Sequence, residues 1–89
     1  MNKMETQFRI YWNPQVGSDI PFFYRNVDSP KAAKVLLDTL ADYDLYQLKN
    51  KIKPDFSNMG GLEVFEDGEW SDWVNEDGYS IDELELDQL

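Results

Sequence analysis

The 89-residue chain carries 18 acids and 8 bases, a formal charge of −10, and is read over residues 1–89 as one domain. It contains no cysteine and no histidine, which excludes disulfides, thiolate nucleophiles, histidine general bases and the common zinc sites. At 42% hydrophobic and 15% aromatic it is too apolar to stay disordered, and without a signal-peptide pattern or a long apolar run it is expected to be soluble and cytoplasmic.

Thr6 to Trp12 reads as a strand, because Phe8, Ile10 and Trp12 alternate with Gln7, Arg9 and Tyr11. Asn13-Pro14 and Gly17-Ser18 are loop signals, and Ile20 to Arg25 follows as a second strand, forming a hairpin with the first. In that reading Ile20, Phe22 and Tyr24 share one side and Phe23 and Arg25 the other. Pro21 lacks an amide donor, so the beginning of this strand belongs at an edge or outside the ladder.

Asp28-Ser29-Pro30 is a helix entrance: a short polar side chain to cap open amides, then proline where its missing N–H costs nothing. Ala33, Leu36, Leu37, Leu40 and Ala41 recur at three- and four-residue spacing, which predicts about three helical turns with Lys31, Lys34, Asp38 and Asp42 facing solvent. Leu45, Leu48 and Ile52 continue the spacing as a second short helix or an irregular extension, stopped by Pro54. Lys53 to Gly61 reads as a loop, with Gly60-Gly61 as a flexible or left-handed entry into the next strand.

Leu62 to Phe65 and Trp70 to Val74 flank Glu66-Asp67-Gly68-Glu69, and Asp-Gly between apolar runs is a strong hairpin signal. With Asp67 and Gly68 as the loop residues, Glu66 pairs with Glu69, Phe65 with Trp70, Val64 with Ser71, Glu63 with Asp72 and Leu62 with Trp73. Leu62, Val64 and Trp73 then meet the helix, while Glu63, Phe65, Trp70 and Asp72 stand on the opposite face. Asp77-Gly78 marks another turn, and Ser80 with Glu83 matches a capping box for a short acidic C-terminal helix carrying Ile81 and Leu84. The expected architecture is α+β: a mostly antiparallel sheet of about four strands in ββα(α)ββ order, with one main helix on a face and the short C-terminal helix.

The charge is concentrated at one end. Residues 1–53 hold all eight bases and six acids, whereas residues 54–89 hold twelve acids and no base. Such a pole repels phosphate backbones and acidic membranes and attracts basic surfaces, so direct nucleic-acid or membrane binding is not expected. No catalytic residue, metal ligand or cofactor is assigned. The acids around Asn75-Glu76-Asp77-Gly78 lack the spacing of a calcium loop, Gly60-Gly61 lacks the lysine of a phosphate loop, and no nucleophile has a base beside it. The alternation places Arg9, Tyr11, Phe23, Arg25, Glu63, Phe65, Trp70 and Asp72 together on the face away from the main helix. Either that face is a binding surface, or a second layer built from residues 43–54 and the C-terminal helix covers it.

Three stretches resemble small acidic proteins encoded by bacteriophages and prophages: Phe8-Arg9-Ile10-Tyr11-Trp12-Asn13; the leucine-rich helix ending Ala41-Asp42-Tyr43-Asp44-Leu45-Tyr46; and the run from Pro54 through Ser57-Asn58-Met59-Gly60-Gly61 and Glu66-Asp67-Gly68-Glu69-Trp70 to Trp73. The resemblance is one of style and arrangement, and it transfers no residue's role. It implies an accessory inhibitor of the anti-restriction or anti-CRISPR kind, some of which are acidic and imitate DNA.

The leading expectation is therefore a non-enzymatic phage-derived protein that inhibits a host defence or nucleic-acid-handling protein by filling its basic surface. Glu63, Glu66, Asp67, Glu69, Asp72, Glu76 and Asp77 are the expected contacts, with Phe65 and Trp70 as apolar anchors. Strand residues rise about 3.3 Å each, comparable with about 3.4 Å per phosphate along a DNA strand. An alternative is a sponge for a small nucleotide signal, with Arg9 and Arg25 meeting phosphate and Tyr11 and Trp70 stacking on bases. A third is a homodimeric assembly protein joined through the aromatic face.

Overall fold

The computed structural model describes residues 6–14, 17, 19–52 and 58–89. In chain order these form β1 (Gln7–Asn13), β2 (Phe23–Val27), α1 (Pro30–Lys49), β3 (Met59–Glu66) and β4 (Glu69–Asp72), followed by 3-10 turns at Ile81–Glu83 and Leu86–Gln88. All strand pairs are antiparallel, and the sheet order is β2-β1-β3-β4. The architecture is α+β, with α1 against one face of the sheet.

The alternation in β1 sends Ile10 and Trp12 into the core, where Leu62 of β3 meets them from the sheet and Ala33 and Leu37 from the helix. Ile10 is fully buried, which contributes about 1.5–3 kcal/mol. Ile81 completes the cluster, and Phe8, Leu36, Leu40, Ala41 and Trp73 close its margins.

Ser29 caps α1: its Oγ accepts from the Ala32 N–H at 3.1 Å, and Pro30 follows as the first helical residue. The helix runs for 20 residues, so the expected division into a main helix and a second short one is corrected. The inward spacing that begins at Ala33 and Leu37 continues through Ala41 to Asp44, and Tyr43 and Asp44 interrupt nothing. Asn50 ends the helix, with its Nδ2 donating to the Tyr46 carbonyl at 2.8 Å and Lys51 in the left-handed region at φ 61°. The expected stop at Pro54, the Ser18 loop signal and the Lys53–Ser57 part of the expected loop lie outside the described residues.

Two further expectations are corrected. The C-terminal helix is replaced by the two 3-10 turns, because Leu84 is buried in extended conformation (φ −114°, ψ 147°) and breaks the helical path between them. The second strand starts at Phe23, not Ile20, and pairs Tyr11 with Tyr24 and Ile10 with Arg25. Tyr24 therefore shares a face with Tyr11, whereas Phe23 and Arg25 belong to the helix side, the reverse of the expected assignment. Nine residues separate β1 from β2, too many for a two-residue turn to set the register, and a one-residue slip exchanges the faces of a whole strand.

The β3–β4 hairpin has the expected register from Glu66–Glu69 to Glu63–Asp72. Asp67 and Gly68 both have positive φ, 54° and 84°, as a two-residue turn of this hand requires. Leu62 and Val64 are buried on the helix side, and the Trp73 N–H extends the pairing by donating to the Leu62 carbonyl at 3.0 Å.

Gly60 and Gly61 lie within β3, and close approach is what requires them. A Cβ on Gly60 would run into the Trp12 ring and the Tyr11 carbonyl; a Cβ on Gly61 would stand 2.5 Å from the Tyr11 hydroxyl oxygen. Consecutive glycines thus admit one aromatic ring on each face of the sheet.

Candidate functional site

The sheet face away from α1 is built by alternation: Arg9 and Tyr11 from β1, Tyr24 and Asn26 from β2, Glu63 and Phe65 from β3, Trp70 and Asp72 from β4. Among the described residues no second layer covers it. Residues 43–49 belong to α1, and Ile81 packs with the helix-side core.

Arg9 organises the face. Its Nε donates to Glu63 Oε1 at 2.7 Å across the β1–β3 pair. The guanidinium carbon lies 4.1 Å from the centre of the Tyr24 ring and 4.2 Å from that of Trp70, within range for cation–π attraction to both. Phe65 meets Trp70 at 5.3 Å with the rings tilted by 59°, and Phe22 stacks on Tyr11 at 5.6 Å. The row from Tyr24 through Arg9 to Trp70 and Phe65 is therefore held in place from β2 to β4.

Beside it, Tyr11, Gly60, Gly61, Asp72 and Asp82 line an open cleft of about 400 Å³. The Tyr11 phenol is pushed above its ordinary value of 10.0, first by burial and then by the charges of Asp72, Glu63 and Asp82. The field in this cleft is negative and disfavours an anionic guest.

The hairpin acids flank β4 at both ends. Glu66, Asp67 and Glu69 are exposed at the β3–β4 tip, and Asp72 is exposed where β4 ends. Glu76 and Asp77 follow, exposed on a turn held by Asn75, whose Oδ1 accepts from the Asp77 N–H at 3.0 Å and the Tyr79 N–H at 2.9 Å. Val74 bridges to Ser80 across that turn. Among the described residues no group of three or more acids is gathered closely enough to hold a metal ion.

Of the expected contacts, Glu66, Asp67, Glu69, Asp72, Glu76 and Asp77 are all exposed along one margin of the fold. Glu63 is half-buried and already paired with Arg9, while Phe65 and Trp70 are half-buried on the adjoining face. The alternative nucleotide set is not brought together: Arg9, Tyr11 and Trp70 share the open face, but Arg25 lies on the helix side.

Sequence reasoning missed Asp44 and Tyr24. Asp44 is buried on the inward face of α1 and accepts from Asn58 Nδ2 at 2.6 Å, tying the helix to the entry of β3. The signal was present, since residue 44 continues the spacing 33, 37, 41. The alternation in β2 groups Phe22 with Tyr24 but does not say which side meets the helix, and the pairing of Tyr11 with Tyr24 puts Tyr24 on the open face.

A family model described as superinfection exclusion gene product 17 matches residues 7–88. A superinfection exclusion protein of Salmonella phage P22 is 35% identical over 83 residues, a match that covers 79% of this chain and 79% of the relative. The setting in phages expected from the sequence holds in these matches, but the descriptions name superinfection exclusion and not anti-restriction or anti-CRISPR activity. No solved structure matches the chain.

Proposed function

Because this chain belongs to the superinfection exclusion gene product 17 family, we propose that it helps bar a second phage from an occupied cell by binding, without catalysis, a protein with a basic surface. The acidic margin formed by the β3–β4 hairpin and the following turn makes the contact. The carrying observation is the exposure of Glu66, Asp67, Glu69, Asp72, Glu76 and Asp77 on backbone whose turns are fixed by Asp67, Gly68 and Asn75. Acids in fixed positions are recognised as a pattern and raise the rate of encounter with a basic partner, whereas acids on a free tail mainly solvate.

The finer form of the proposal is imitation of nucleic acid. Glu66 and Glu69 pair directly across the hairpin on the same side of it, their side chains about 5 Å apart, with Asp67 at the turn between them, a spacing of negative charge of the same order as the phosphate interval of about 3.4 Å. A surface that normally holds a phosphate backbone, on a nucleic-acid-handling protein of the host cell, suits such a pattern. Glu63 contributes less than its neighbours because Arg9 already holds it.

Cells expressing the chain and challenged with a phage it excludes provide the test. Replacing Glu66, Glu69 and Asp72 by lysine and Asp67 by asparagine is expected to restore plaque formation by the challenger while the variant remains folded. Full exclusion by the folded variant would overturn the proposal. The nucleotide-sponge reading has less support, because its arginines lie on opposite faces and the cleft beside Tyr11 is rimmed by carboxylates.

A further inference from the structure

The two edges of the sheet differ in chemistry. β4 is short and flanked by acids, a common way of keeping an edge strand from pairing with another chain. β2, at the opposite edge, has the sequence Phe-Tyr-Arg-Asn-Val with no acid. It leaves Phe23 50% and Tyr24 48% exposed, one on each face of the sheet. Its one charged side chain is Arg25, on the helix side, and it holds no acid, no lysine and no mid-strand proline to oppose pairing.

We propose that β2 is a self-association edge, pairing antiparallel with β2 of a second copy to give a continuous eight-stranded sheet. Charge placement selects a second copy as the occupant. A chain of charge −10 resists its own association, but the strand order puts β2 as far from the acidic margin as the sheet allows. Across a β2–β2 junction the two β4 strands lie seven strand spacings apart, about 34 Å, several times the Debye length of about 8 Å at physiological salt. Joining through β4 would instead bring the acids together. An antiparallel edge is also self-complementary under a two-fold axis, so one surface suffices.

The register follows from the side chains. Centring the axis on Arg25 would set two guanidinium groups opposite each other, which is unfavourable. Centring it on Tyr24 sets Tyr24 against its copy, Phe23 against Arg25 and Phe22 against Asn26, and leaves Pro21 at the end of the ladder, where its missing N–H matters least. An axis perpendicular to the sheet keeps the faces in common. Both helices then lie on one side, and the two Tyr24–Arg9–Trp70 rows meet at the centre of the other.

The test is sedimentation of the full chain at concentrations from about 1 μM to about 1 mM, with hydrogen–deuterium exchange on the same samples. The expected result is a concentration-dependent mass rising from 10.5 kDa to twice that value, with amides 22–26 becoming protected as the dimer forms. Phe23→Lys, which at an exposed position sets a like charge against Arg25 of the second copy, is expected to weaken dimerisation about tenfold or more. A monomer at every concentration, concentration-dependent protection on β4 rather than β2, or a dimer unaffected by Phe23→Lys would overturn the proposal. Because the exchange measurement is made on the unaltered chain, it decides the matter even if the variant folds poorly.

Discussion

Arg9 and Glu63 face each other across the β1–β3 pair at 2.7 Å, and the same guanidinium lies between the rings of Tyr24 and Trp70. Three strands thereby contribute to the environment of one side chain from the fourth. The ion pair alone is worth little, since both side chains keep about a fifth to a quarter of their exposure and such pairs contribute about 0–1 kcal/mol. The two ring contacts add about 0.5–1 kcal/mol each. Arg9→Ala is therefore expected to destabilise the fold by about 1–3 kcal/mol and Glu63→Gln by under about 1 kcal/mol. Urea denaturation of both variants checks the order, and a larger loss for Glu63→Gln would show that the ion pair dominates.

Gly60→Ala is expected to be the more damaging of the two glycine substitutions in β3. Its methyl meets the Trp12 ring, which is buried in the core, and the Tyr11 backbone, and forced overpacking costs about 1–3 kcal/mol. Gly61→Ala meets the Tyr11 ring on the open face, where there is room to move. A double-mutant cycle with Tyr11→Ala should remove most of the Gly61→Ala penalty and leave the Gly60→Ala penalty largely in place. Equal recovery at both positions would refute the assignment of one ring to each glycine.

Tyr11 should retain its proton above pH 10.0, the ordinary phenol value, because burial and the nearby acids raise its folded-state pKa. Over the interval between the unfolded and folded values, the folded chain binds more protons than the unfolded one. This group's contribution to stability is thus complete below the unfolded value and declines as pH rises through the folded one. Absorbance titration near 295 nm, compared with Tyr11→Phe, should lose a late-titrating component. If the component lost titrates at the ordinary position, the described environment is wrong.

Asn58→Ala is expected to cost about 1–3 kcal/mol by withdrawing the amide that donates to the buried Asp44 carboxylate at 2.6 Å. The loss should be local to the start of β3. Hydrogen exchange of residues 59–61 should accelerate well before that of the Ile10–Leu62 region, and uniform acceleration would contradict a local clamp.

The β3–β4 hairpin was legible because Asp67-Gly68 specifies both the turn and the register, and every facing pair follows from it. The start of α1 was legible for a similar reason, the adjacency of Ser29 and Pro30. The β1–β2 register was not, because residues 14–22 contain several turn formers and none sets a unique pairing; the consequence was to exchange Tyr24 with Phe23 and Arg25. The single long helix was hidden by polar Asp44, which continues the inward spacing but reads as a solvent-facing break when Asn58, the amide 14 residues away that donates to it, is not in view. Of the candidate site, the acids were visible by composition, whereas the Tyr24–Arg9–Trp70 row exists only once all four strands are assembled.

The acidic margin as a contact surface is tested most directly by moving the same charge change to a different place on the fold. Glu66→Lys with Glu69→Lys alters the hairpin tip, and Asp38→Lys with Asp42→Lys alters the exposed side of α1; both pairs shift the net charge of −10 by the same amount. In a plaque assay with matched expression and confirmed folding, the hairpin pair should lose exclusion and the helix pair should keep it. Exclusion retained by the hairpin pair, or lost equally by both, would contradict a role for acids in that position.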